Sequence, residues 1–251
     1  ERIGVAKVYS MIDMTWLEQA AREHLNKVTP RVMGVLNPIK LTIENYPEDQ
    51  IEQLDAVNNP EDESYGKRTV PFSRELLIEA ADFLEEAPRR YHRLAIGREV
   101  RLRYGYLVTC TGCVKDDDGN VVEVLCKYDP ETRGGNAPDG RKIKGTIHWV
   151  SAQHAIDVEL RLYDRLFTTE KPGDVPEGED WKTALNSDSL TVNPTAKLEP
   201  SVMGAEPGTR YQFERTGYFC VDPDTTPEKL VMNRTVTLRD SWAKVQKKGG
   251  K

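Results

Sequence analysis

Short runs of alternating apolar and polar residues, separated by turn residues, fill most of the chain and predict a mainly β protein. The first stretch differs. Leu17, Ala20, Ala21, His24, Leu25 and Val28 follow helical spacing. Thr15 and Glu18 fit a capping box ahead of them, and Pro30 ends the run because its ring cannot continue a helix. This helix has one apolar stripe with nothing earlier to pack on, and the chain begins without Met. A preceding neighbour is therefore expected, with residues 1–29 as the end of a helical subdomain.

Strands are predicted at Val32–Leu36 and Ile39–Asn45, around the turn dipeptide Asn37-Pro38. Pro47–Glu63 reads as an acidic exposed loop. Ser73–Glu86 reads either as a helix or as a strand followed by a helical turn. In Val100–Val114, Val100, Leu102, Tyr104 and Tyr106 oppose Arg101, Arg103 and Gly105, which predicts one half-buried strand with arginines outward. Asp116–Asn120, DDDGN, predicts a hairpin turn into Val121–Tyr128. Ile143–Val150, Val158–Tyr163, Leu190–Lys197, Tyr211–Val221 and Val231–Arg239 complete the strands. Arg133–Gly140 and Lys171–Asp180 read as connections, and QKKGGK at 246–251 as a frayed tail. Many short strands with little helix predict barrels. They fall into groups divided at Pro88 and Lys171, which predicts two β-barrels, one inserted in the other.

Composition narrows the function. The 251 residues carry a formal net charge of -6, and no apolar run is long enough to cross a bilayer. No secretory leader is visible. Four cysteines are too few for a disulfide scaffold, so a reducing, cytoplasmic setting is expected. Cys110-Thr-Gly-Cys113, with Cys126 behind it, has zinc-like spacing. It lacks a second pair or a His at finger spacing, which favours small strand residues over a metal site. No P-loop, HExxH or GxSxG motif occurs. His24, His92, His148 and His154 are scattered, and His148 beside Trp149 on an apolar strand favours a core histidine. No catalytic set is expected.

Against this acidic background, Pro88–Arg103 carries Arg89, Arg90, Arg93, Arg98, Arg101 and Arg103 and one acid, Glu99. Two readings stand open: a patch that holds a polyanion, with Tyr91 and His92 offering stacking surface, or a solvated ion-paired face. Arg31 follows Pro30 at the helix-to-barrel junction. Gln212 and Arg215 lie on a later predicted strand, where odd spacing puts them on opposite faces.

Several stretches resemble bacterial-type glutaminyl-tRNA synthetase: RIGVAK (Arg2–Lys7), PRVMGVLNPIKLTIENY (Pro30–Tyr46), VPFSRELLIEAADF (Val70–Phe83), DGRKIKGTIHWVSAQHA (Asp139–Ala155), LRLYDRLF (Leu160–Phe167), YQFERTGYFCVD (Tyr211–Asp222) and MNRTVTLRDSWAK (Met232–Lys244). The likeness is colinear over nearly the whole chain. It implies the C-terminal anticodon-binding region of that ligase: a proximal barrel from 30–87 plus 171–245 and a distal barrel from 88–170. The family's HIGH and KMSKS-type motifs are absent here. The resemblance thus implies that ATP with Mg2+, glutamine activation and the catalytic Rossmann domain lie in an N-terminal part of the parent, and that this stretch alone holds no cofactor and no catalysis. The implied partners are the anticodon stem-loop of tRNA(Gln) and that catalytic domain. No membrane is implied, and a monomer is expected.

By the same resemblance, Arg31, Gln212 and Arg215, with Ser241 nearby, correspond to the pocket for the middle uracil. Arg101 and Arg103 correspond to the first-base pocket, and Arg93 to the third. Asn26 fits a position at the anticodon-stem junction. Arg90 and His92 stand where the family often carries Gln and Lys. Two other expectations are a non-enzymatic RNA-binding barrel of ribosomal-protein type and a glutamyl-tRNA synthetase relative.

Overall fold

The structure, a computed structural model, describes residues 7, 14–135, 137–169, 171, 173–174, 178 and 180–239. Ser241, the tail 246–251 and much of the 171–180 connection lie outside the described residues. Helix α1 (Met14–Val28) is followed by β1 (Arg31–Val32), β2 (Gly34–Val35), β3 (Pro38–Ile43), β4 (Glu52–Val57), β5 (Lys67–Phe72), β6 (Glu75–Glu79), β7 (Glu99–Leu102), β8 (Leu107–Lys115) and β9 (Val121–Asp129). Then come β10 (Thr146–Ile147), β11 (Trp149–Ser151), β12 (Ile156–Tyr163), β13 (Leu190–Leu198), β14 (Arg210–Phe213), β15 (Gly217–Val221) and β16 (Leu230–Thr237).

The strands form two nearly closed barrel-shaped sheets and a β4–β5 ribbon. One sheet runs β1-β14-β15-β16-β12-β13-β2, the other β10-β7-β8-β9-β3-β6-β11. In each, the two outermost strands are neighbours in the chain. Met33 alone separates β1 from β2, and His148 alone separates β10 from β11. One interrupted segment therefore lies along both edges of its own sheet, which removes the open edges a sheet otherwise presents.

The mainly β class matches the expectation, but the sheets do not divide at Pro88 and Lys171. β3 runs parallel to β9, Lys40 opposite Glu123, and pairs antiparallel with β6, so 38–43 and 75–79 share a sheet with 99–151. β12 pairs with β13 and β16, so 156–163 joins the later strands. Alternation identifies a strand but carries no information about its distant partner. Other elements also shift. Pro47–Glu63 contains β4, which pairs with β5 and whose Leu54 and Ala56 are buried in the first core. Ser73–Glu86 is a strand followed by a 3-10 turn at Ala80–Asp82. Helix α1 starts before Thr15, so Thr15 is a first-turn residue; the helix packs through Ala21 and Leu25 on Tyr218 of β15 and Val236 of β16.

The first core gathers Tyr46, Phe72, Tyr106, Tyr128 and Trp149 in edge or tilted contacts, centroids 5.0–5.3 Å apart. Each such pair contributes about 0.5–1.5 kcal/mol beyond the area it buries. Glu52 accepts from the hydroxyls of Tyr46 at 2.6 Å and Tyr106 at 2.8 Å. Burial and this carboxylate push the Tyr106 phenol up to about 12, which keeps it a donor. Val32 packs in the second core, Met33 and Val35 in the first, so the β1–β2 segment serves both. Cys110 and Cys126 are buried cross-strand partners, which accounts for two of the cysteines as strand residues.

The Asn37-Pro38 turn hangs on Glu79, which accepts from the N–H of Leu36 at 2.6 Å and of Asn37 at 3.1 Å. Burial alone would raise the Glu79 pKa. The His148 ring nearby and the two N–H donors outweigh it and hold the carboxyl below its usual value. A depressed folded-state pKa means stability that is present above the unfolded value and lost as pH falls through the folded one. Glu79→Gln is expected to lower unfolding free energy by about 1–3 kcal/mol at neutral pH, the gap from wild type closing in acid, as read by urea melts across pH.

Candidate nucleic-acid interface

Arg31 and the later Gln/Arg motif meet because β1 lies parallel to β14, with Arg31 opposite Gln212. The N–H of Gln212 donates to Pro30 O at 2.9 Å and that of Glu214 to Val32 O at 2.9 Å. Arg31 is 5% exposed. Its guanidinium donates to Asn59 Oδ1 and, at 3.0 Å, to Asn26 Oδ1. Asn59 in turn donates to Lys27 O at the end of α1, 2.9 Å away. Two neutral amides thus hold a buried cation without cancelling its charge. Beside it, Gln212 Oε1 is buried with no hydrogen-bond partner.

β14 ends in a turn through Glu214, Arg215 and Thr216, with Arg215 in the left-handed region at φ 66. The sequence reading put Arg215 on the strand with Gln212; the turn instead aims it at the other barrel. There it forks onto Asp82, Nη2 to Oδ1 at 2.8 Å and Nη1 to Oδ2 at 2.5 Å, and lies 3.1 Å from His148 Nδ1. Arg93 shares this carboxylate at 3.1 Å and donates to Ala81 O at 3.0 Å.

Glu214 organises the next cation. It accepts from the Tyr104 hydroxyl at 2.6 Å and lies 3.2 Å from Arg103 Nη2. The Arg103 guanidinium sits over the Tyr104 ring, 5.0 Å from its centroid. Burial and the Glu214 charge raise the Tyr104 pKa, so the phenol remains a donor at neutral pH. Asp82 and Glu214 side chains are 2% and 6% exposed, whereas Arg93, Arg103 and Arg215 keep 45%, 37% and 27%. The carboxylates are enclosed and the cations face outward. Such pairs fix the guanidinium planes beforehand and lower the entropy a ligand has to overcome.

Arg101 and Arg103 do not share a strand face. β7 stops at Leu102, and Tyr104, at φ 62, turns the chain into β8. Arg101 donates to the carbonyls of Gly105 at 3.2 Å, Thr132 at 3.1 Å and Gly135, which makes it a brace for that turn and for the 130–135 loop. Continuous alternation concealed the turn, since Tyr104 occupies a conformation that bulky residues rarely adopt. Arg90 and His92 are exposed on the loop before Arg93. Arg98 holds that loop through the carbonyls of Ala87 at 2.9 Å, Pro88 at 3.1 Å and Tyr91 at 2.5 Å.

The structure therefore brings Arg31, Gln212, Arg215, Arg93 and Arg103 to one seam, along the Gln212–Thr216 turn. It places Asn26 behind Arg31, Arg101 at a structural turn, and Arg90 and His92 on the adjoining loop. Sequence reading missed Asp82, Glu214, Asn59 and Tyr104 as orienting groups. Only Glu214 carried a local signal, lying between Gln212 and Arg215. Asp82→Asn leaves two guanidiniums without their counter-charge. It is expected to cost about 2–3 kcal/mol in guanidinium chloride unfolding; a loss under about 0.5 kcal/mol would mean that the carboxylate does not organise the seam.

The family described as tRNA synthetases class I (E and Q), anti-codon binding domain, matches residues 29–129 and, with its second profile, 146–222. A glutamine–tRNA ligase of Rhodopirellula baltica is 56% identical over 249 residues, 99% of this chain and 41% of its own length. Those of Nitrobacter hamburgensis and Colwellia psychrerythraea are each 52% identical, over 99% and 98% of this chain and 44% of their own lengths. The chain thus spans about two fifths of the curated relatives it matches.

Proposed function

Because this chain belongs to the anticodon-binding domain family of class I tRNA synthetases (E and Q), we propose that it reads the anticodon of tRNA(Gln) for a glutamine–tRNA ligase. The observation that carries this reading is the convergence of Arg31, Gln212, Arg215, Arg93 and Arg103 on one seam, where Arg93, Arg103 and Arg215 are outward cations held by enclosed carboxylates. Unstacked bases expose Watson–Crick edges that such side chains can read, while neighbouring phosphates set position.

In this proposal, Arg31, Gln212 and Arg215 take the middle base, with Ser241 as a further contact. The buried, unpartnered Gln212 Oε1 is an acceptor suited to the N–H of a uracil edge. Arg103 takes the first base, since its fork stays accessible above Tyr104, and Arg101 supports it by holding the turn. Arg93 takes the third base, with Arg90 and His92 beside it, and Asn26 supports the stem junction through Arg31. Ligation of glutamine with ATP and Mg2+ is assigned to the remaining three fifths of the parent's length. No described helix is long and apolar enough to cross a membrane.

Arg103→Ala is expected to weaken binding of a CUG anticodon stem-loop by about 1–3 kcal/mol and to flatten the preference at the first base. Fluorescence anisotropy with loops varied at that base reads both effects. Unchanged affinity at physiological salt would remove Arg103 from the site.

A further inference from the structure

Beside the Arg93 loop lies an open depression of about 350 Å³. Its lining carries five cations, Arg89, Arg93, Arg98, Lys142 and Lys144, against one carboxylate, Glu99. Three of these groups are already committed. Arg93 rests on Asp82, Arg98 on three loop carbonyls, and Glu99 is forked by Arg141 at 3.0 and 2.9 Å. Arg89, Lys142 and Lys144 are exposed and have no carboxylate partner among the described residues.

The two walls of the depression are joined through backbone. A Cβ at Gly145 would stand 2.2 Å from His92 O, so the 142–145 segment rests directly on the Arg93 loop. The N–H of Arg101 donates to Gly145 O at 2.9 Å and ties that segment to β7. Unspent cations are thus held at a defined place on a chain whose net charge is -6. A local positive field on an acidic protein selects a polyanion and steers it there. Ammonium groups supply point charges without the fork that reads a base edge, which suits a phosphate.

We propose that Lys142 and Lys144, with Arg89, hold a backbone phosphodiester of the RNA next to the base taken by Arg93. The assignment rests on the anticodon reading above. It predicts a contact that is independent of sequence and weakened by salt, since each neutralised phosphate releases counterions.

The test compares wild type, Lys142→Gln/Lys144→Gln and Lys142→Arg/Lys144→Arg in the 251-residue chain. Binding of a CUG stem-loop and of one with a changed anticodon is measured from low to high salt. The Gln pair is expected to flatten the log–log salt slope by about 0.7 and to weaken binding about five-fold at 0.1 M salt. Both loops should lose affinity by the same factor, and the Arg pair should restore the slope. An unchanged slope, or a loss confined to one anticodon, overturns the phosphate site. A wild type that binds both loops equally refutes the anticodon reading, and the slope change still decides the phosphate site.

Discussion

A sheet of short strands presents two raw edges, and both barrels here remove theirs with one interrupted segment each. The break falls on Met33 in one barrel and His148 in the other. Both breaks face the junction between the barrels. Met33 N–H donates to Glu199 Oε2 at 2.8 Å, Met33 O accepts from Glu199 N–H at 3.1 Å, and Glu199 also takes Arg68 Nη2 at 2.9 Å. The His148 ring lies against Arg215. Closure thus satisfies edge groups and at the same time positions the residues that weld the two barrels.

The weld is electrostatic and mostly enclosed. Glu199, Glu214 and Asp82 are each nearly buried and each faces at least one guanidinium from a distant part of the chain. Pairs of this kind contribute modestly to net stability, because desolvation offsets much of the attraction; their worth lies in orientation. Arg31 is held instead by amides, so its charge remains uncompensated. The strained turns at Tyr104 and Arg215 aim the groups that line the seam.

Local chemistry was largely readable in the amino-acid order. DDDGN forms the expected turn, with Asp116 N–H donating to Asn120 O at 2.9 Å and Gly119 at φ 84. Helix α1 stops ahead of Pro30, and the β class follows from alternation. The meeting of Arg31, Gln212 and Arg215 along one seam was suggested only by resemblance, not by spacing. The turn at Arg103–Tyr106 was not legible at all, because a period of two persists through it while the backbone reverses.

Sequence by itself determined the mainly β class, the first helix, the DDDGN turn, the positive stretch within an acidic chain and the family likeness. Tertiary structure alone decided which strands share a sheet and which carboxylate holds which arginine. Lys40 faces Glu123, Tyr104 meets Glu214 across 110 positions, and Asp82 meets Arg215 across 133. Alternation and charge carry no record of distance along the chain. Only barrel closure, which leaves each edge a single available partner, sets those meetings.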